Sequence, residues 1–214
     1  MSTGVRAAVR PPNDWPLWAG LVVLEVVALA VHFTVAGSTE SVRYVVYPFV
    51  WINVGLFAVT RVGPVPTGRR LAAAGVAAVY GLVLAILTGL VGVPLGEHVH
   101  AHPTGLTASL SAPGWGPRVA YVLGEFHLYF VPFRVVGYVA LSYLVYARLA
   151  ALSLASGAGT VGLAACIGCT LPLLAGTLGG AGAAALAAVG GYSLDLSTLA
   201  FLLAVGGLWQ PWRE

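Results

Sequence analysis

From Trp15 the chain runs for about twenty residues that contain a single acid, Glu25, and comparable apolar runs recur almost to the C-terminus. A stretch of that length is what a helix needs to cross a hydrocarbon core of about 30 Å at roughly 1.5 Å per residue. In lipid each backbone N–H and C=O must find its partner within the protein, and a helix supplies those partners locally. The rest of the composition agrees. With 59% hydrophobic and 8% charged residues, 214 residues cannot be arranged as a water-soluble sphere. The expected fold class is therefore all-α: a polytopic transmembrane helix bundle, one transmembrane domain over 1–214, placed as a multi-pass protein of the cell membrane with the lipid bilayer as its first partner.

Pro, Gly and Arg punctuate the chain into about six spans, 15–35, 43–60, 70–92, 119–146, 158–178 and 196–209. Arg6 and Arg10 precede the first span as they would in a signal peptide, but its apolar run exceeds the usual h-region, so it reads as a retained helix anchored by Trp15 and Trp18. The stretch 119–146 is long for one span. It reads either as a tilted helix kinked at Pro132 or as a helix that begins with a segment lying in the interface. The small-residue stretch 179–191 reads as a half-span, and the count becomes seven if it crosses by itself. Between the third and fourth spans, 93–117 reads as the one sizeable loop.

Basic residues favour the cytoplasmic flanks of membrane spans. In the six-span arrangement Arg6, Arg10, Arg61, Arg69, Arg70, Arg148 and Arg213 share one side, with Arg43 and Arg118 at the other. Both termini are accordingly expected in the cytoplasm and the 93–117 loop outside.

An ionisable group in hydrocarbon is expensive, so the polar residues within the spans are candidates for function or for helix-to-helix pairing. Glu25 and His32, two turns apart, share a face of the first span. Asn53 lies within the second. If 119–146 is helical, Glu125 and His127 point to roughly opposite faces, while His127 and Arg134 share one. A structural reading pairs Glu25 with Arg134 or Asn53 to lock the bundle, and a functional one gives these groups to a substrate or ion.

The outer loop carries Glu97 and the alternating His98, His100 and His102, which an extended strand presents on one side. Imidazoles in that array suit copper, zinc or nickel. Cys166 and Cys169, three residues apart, are adjacent on one helix face, where two thiolates suit a soft ion such as Cu(I) or a dithiol–disulfide cycle. Pro172 removes the N–H that the Gly168 carbonyl would otherwise accept, loosening the backbone beside the sulfurs. Together the residues order harder ligands outside and softer ones deeper, a gradient that suits metal handling. The plain alternatives are a solvated loop and two buried thiols packed like Ala. His32 and His127, at similar depth on different helices, are also the pair a bis-His haem site requires.

The basic set is entirely Arg and a net charge of +3 is spread over short segments, so nothing forms the stripe that tracks nucleic-acid phosphates. No P-loop, GxSxG, HExxH or dinucleotide fingerprint is present. An ATPase or ordinary hydrolase is not expected. The segment Gly162-Leu-Ala-Ala-Cys-Ile-Gly-Cys-Thr-Leu-Pro-Leu-Leu174, with the all-Arg basic set and Gly/Ala/Val-rich spans, resembles a family of uncharacterised archaeal multi-span membrane proteins. That resemblance implies an association with genes for haem and terminal-oxidase assembly. The Cys-x-x-Cys-x-x-Pro stretch is also similar to transmembrane thiol carriers, but those keep their paired cysteines on two helices, and here both lie in one span. The first expectation is a non-enzymatic membrane protein handling copper for a respiratory oxidase. Its rivals are a permease-like or structural subunit among other membrane subunits, and a haem-binding redox subunit.

Overall fold

The structure, a computed structural model, describes residues 14–36, 41–62, 65, 70–92, 104–109, 112–124, 126–151 and 193–209. The chain divides into two compact units, Met1–Thr39 and Glu40–Glu214. The first contains α1 (Trp15–Ala36), 22 residues with apolar side chains around its whole circumference. Asp14 opens it, its carbonyl receiving the N–H groups of Leu17 and Trp18 and its carboxylate the Trp18 indole N–H at 3.1 Å. An acid suits this position because the helix N-terminus carries partial positive charge.

The second unit contains α2 (Val42–Thr60), α3 (Arg70–Leu87), β1 (Val91–Gly92), β2 (Gly105–Ser109), β3 (Arg118–Leu123), β4 (Phe126–Phe130), α4 (Pro132–Ala151) and α5 (Ser193–Trp209). Helices α1 to α4 are long and apolar enough to cross a membrane, and α5 is a shorter apolar helix. The protein is thus mostly helical. It is not all-α, however: the strands form an antiparallel sheet in the order β1-β4-β3-β2.

Two expected boundaries change. The third span was expected to reach 92, but α3 ends at Leu87. Gly89, at φ +72°, takes the left-handed position after the helix, Leu90 N–H returns to Ala85 O at 2.8 Å and Gly89 N–H to Ile86 O at 3.0 Å. This is the Schellman closure that glycine makes inexpensive. The larger correction is at 119–146. Arg118–Leu123 and Phe126–Phe130 pair as the strands of a β-hairpin, and the helix begins only at Pro132, where the missing N–H is one that no helix bond needs. Gly124, at φ +60°, makes the turn between Leu123 and Phe126, which pair across the hairpin.

Helix α4 is the hub, packing against α2, α3 and α5. Its contacts with α2 depend on small residues. A Cβ on Gly137 would strike the Trp51 ring, and one on Gly55 would stand 3.1 Å from the Ala140 Cβ. Trp51 is the centre of the core. It stacks on Phe201 at 4.2 Å, meets Phe133 and Tyr138 edge-on at 5.5 and 5.7 Å, and donates its indole N–H to Thr198 Oγ1 at 3.1 Å. Both partners in that hydrogen bond are buried, and a polar group in such a core must find a partner.

The order of these pairs gives the helix directions. Arg43 with Asp195 and Trp51 with Phe201 run in the same sense, so α2 and α5 are parallel. Trp51 with Gly137 and Gly55 with Ala140 make α2 and α4 parallel, while Gly81 with Ser142 and Thr88 with Arg134 make α3 antiparallel to α4. The sheet therefore lies at the end where α2, α4 and α5 begin and α3 finishes.

One contact explains how the sheet end is fastened. Pro48, inside α2, has no N–H to offer the Tyr44 carbonyl one turn earlier. The Trp115 indole N–H takes that place at 2.7 Å, and its ring stacks on Tyr44 at 4.4 Å. Gly114, at φ +83°, lies against the Pro48 ring, where a Cβ would collide. Trp115→Phe leaves the carbonyl without this donor and is expected to lower stability by about 1–3 kcal/mol. In the Pro48→Ala background, where residue 48 regains its N–H, the same change is expected to cost clearly less. A double-mutant cycle of thermal unfolding in detergent, with equal costs in both backgrounds, would show that the bond does not matter.

Candidate functional site at the sheet end

The hairpin sets the positions of the polar residues at this end. The cross-strand rows alternate between two faces. Leu106, Tyr121 and Leu128 form one row, with Leu123 opposite Phe126, and these side chains are exposed. Gly105, Val122, His127 and Gly92 form a row on the other face, where Val122 is buried and His127 half-buried. The His127 imidazole lies across Gly92 so closely that a Cβ there would overlap it, and its ring is 4.8 Å from that of Tyr129. Gly92 is thus needed for close approach.

His127 stands on a strand, which corrects its expected place on a helix sharing a face with Arg134. It also corrects the haem arrangement of two histidines on two helices. Arg134 lies in the first turn of α4, donating to Thr88 O at 3.4 Å, with its guanidinium 6.0 Å from the Trp115 ring and 5.8 Å from that of Phe133. Arg118 lies 5.9 Å from the Tyr129 ring. Such placements over ring faces partly offset the loss of water around a cation.

Asn53 donates to Phe49 O at 2.9 Å, one turn earlier in its own helix. Glu25 and His32 both lie on α1, half-buried, with His32 edge-on to Phe33 at 5.6 Å. His98, His100, His102, Glu125, Cys166 and Cys169 lie outside the described residues, as do the expected span 158–178 and half-span 179–191. Among the described residues no three His, Cys, Asp or Glu side chains converge.

A second polar cluster joins the starts of α2 and α5. Arg43 Nη1 is 2.8 Å from Asp195 Oδ2, and the Tyr47 hydroxyl donates to Asp195 Oδ1 at 2.5 Å. Asp195 also stands in the first turn of α5, where an acid favours the helix. In the sequence this residue is inconspicuous, because an acid at the boundary of an apolar run looks like an ordinary solvated end. The available signal was its place at a helix start, with Arg43 at the start of a second helix. Half of Arg43 is exposed, so the ion pair itself is screened. Asp195→Ala, which also removes the Tyr47 bond, is expected to cost about 1 kcal/mol, less in high salt; thermal unfolding in detergent at two ionic strengths checks it.

These features define a class: a mostly helical protein that has, among the described residues, four helices fit to cross a membrane and a small sheet closing one end. The chain belongs to a family of unknown function (DUF7546), whose model matches residues 1–214. Neither a curated protein nor a solved structure matches it.

Proposed function

We propose that this is a multi-pass membrane protein with about six crossings, cytoplasmic termini and an external sheet end, which handles copper for a respiratory oxidase. The observation that supports a metal role is the place of His127. It lies against Gly92, where the stretch bearing His98, His100 and His102 leaves the sheet, and in one row with Gly105, just after that stretch ends. A fourth imidazole is thereby set at the base of the expected collecting loop, and imidazole suits copper and zinc. Orientation is supported by Arg61, Arg70 and Arg148 at the end away from the sheet and Arg6, Arg10, Arg69 and Arg213 in the flanking sequence, against Arg43, Arg118 and Arg134 at the sheet end. Ala151 closes α4 at that end and Ser193 opens α5 at the sheet end, a placement that favours an odd number of crossings between them.

Metal analysis of the full chain purified in detergent tests the proposal. The wild type is expected to retain copper, Cys166→Ser/Cys169→Ser to lose it, and His127→Ala to weaken uptake by about tenfold. Copper content unaffected by all three changes, or absent from the wild type, favours the rival reading of a structural or permease-like subunit. That reading has its own support in the Arg43–Asp195–Tyr47 cluster, which ties two helices together. A visible absorption spectrum of the same sample decides the haem reading.

A further inference from the structure

The outer seam of α3 and α4 is a furrow rather than a closed contact. Near the sheet it opens into a cavity of about 270 Å³ between Ala85 and Tyr138, roofed by Leu90, Val91, Leu128 and Phe130. Farther along it continues as a groove of about 380 Å³ floored by Ala74, Ala77 and Ala78 and walled by Tyr143 and Tyr146. Gly81, Val139 and Ser142 line both parts, so the two are continuous. The Ser142 hydroxyl is turned back onto Tyr138 O at 2.8 Å and offers the furrow no unsatisfied donor. From Ala74 to Ala85 the furrow follows α3 for about 17 Å, close to the depth of one leaflet, about 15 Å.

Beside its sheet end stand residues of the opposite chemistry. Arg134 stands one turn before Tyr138 on α4 and reaches Thr88 O just past the end of α3, while Arg118 lies over Tyr129, another residue of the cavity wall. Among the described residues neither arginine has a carboxylate partner. Two cations therefore lie beside an apolar slot one leaflet deep, flanked by the aromatic rings of Trp115 and Tyr129, whose amphipathic character suits the headgroup level.

We propose that the α3–α4 furrow holds one hydrocarbon chain of an anionic phospholipid whose phosphate lies at Arg134 and Arg118. The inference rests on membrane residence but not on the metal reading. The slot excludes water-seeking groups because its walls are apolar, and the arginines select an anionic headgroup over a zwitterionic one. Guanidinium pairs well with phosphate because its planar donors can bond two oxygens at once.

The test uses the full chain in vesicles of phosphatidylglycerol or phosphatidylcholine, each carrying a photoreactive diazirine in one acyl chain, with labelled peptides located by mass spectrometry. Label from phosphatidylglycerol is expected to concentrate on 74–85 and 135–146, exceeding that from phosphatidylcholine by about fivefold. Arg134→Gln is expected to remove most of that preference and Arg134→Lys to keep part of it. Val139→Trp, a change at an exposed position within the furrow, is expected to lower label from both lipids alike without any change at the two arginines. Equal labelling by the two lipids, label spread evenly over the apolar helices, or a furrow left unlabelled because another segment or a second copy covers it overturns the proposal. Recovery of the chain in the soluble fraction overturns membrane residence as well, and is distinguished because it is seen before any lipid is scored.

Discussion

Trp51→Ala is expected to lower the stability of the folded chain by about 3–5 kcal/mol, the largest effect of any single substitution considered. The ring is 3% exposed, and its removal takes away the Phe201 stack, the edge contacts with Phe133 and Tyr138, and the hydrogen bond to Thr198. In a bilayer the transfer contribution shrinks, since lipid is as apolar as the core, while the lost dispersion contacts and the stranded Thr198 hydroxyl remain. Trp51→Phe keeps much of the stacking and is expected to fall between wild type and Ala. Equilibrium unfolding in mixed micelles, followed by helix content, measures both. A Trp51→Ala variant within 1 kcal/mol of wild type would falsify the view that this ring organises α2, α4 and α5.

Gly137→Leu should be the next most damaging change, by about 1–3 kcal/mol or more. A Cβ at residue 137 already overlaps the Trp51 ring and stands 3.3 Å from Phe201. The helices can accommodate Leu only by separating, which weakens the neighbouring Gly55–Ala140 approach as well. Because the clash is with Trp51, the two substitutions should not be additive: in the Trp51→Ala background, Gly137→Leu is expected to cost markedly less, its side chain entering the vacated volume. Equal costs in both backgrounds would mean that the helices yield elsewhere and that the Trp51–Gly137 contact does not set their spacing.

Legibility varied with the kind of signal. Helices α1, α2 and α3 were readable because uninterrupted apolar runs of span length have few alternatives, and their starts fell within a residue of expectation. The hairpin was hidden for the same reason. In 118–130 apolar and aromatic residues are so dense that a period of two hardly differs from a period of 3.6, and the run continued without a gap into the helix after Pro132. The local clues were Gly124 at the turn, the alternation of His127 and Tyr129 with Phe126, Leu128 and Phe130, and Pro132 as a helix start rather than a kink. Without them His127 is expected on the wrong kind of element and Arg134 within a long helix instead of in its first turn.

The candidate site was legible as a set of residue types and much less as an arrangement. Histidines, arginines and cysteines could be named from the sequence, since each is chemically conspicuous in so apolar a chain. That Trp115 would reach the carbonyl Pro48 leaves unbonded, or that Asp195 would gather Arg43 and Tyr47, could not, because those partners are separated by 71 to 152 residues and nothing local relates them.

What the sequence determined by itself was the demand for apolar helices of membrane length, because satisfying the backbone within lipid is a local requirement that hydrophobicity alone imposes. Only the tertiary structure decided which helix became the hub, where the sheet closed the bundle and which polar groups met there. Those outcomes depend on side-chain volumes matched across distant elements, Trp51 against Gly137 and Gly114 against Pro48, and such complementarity exists only once the chain is folded.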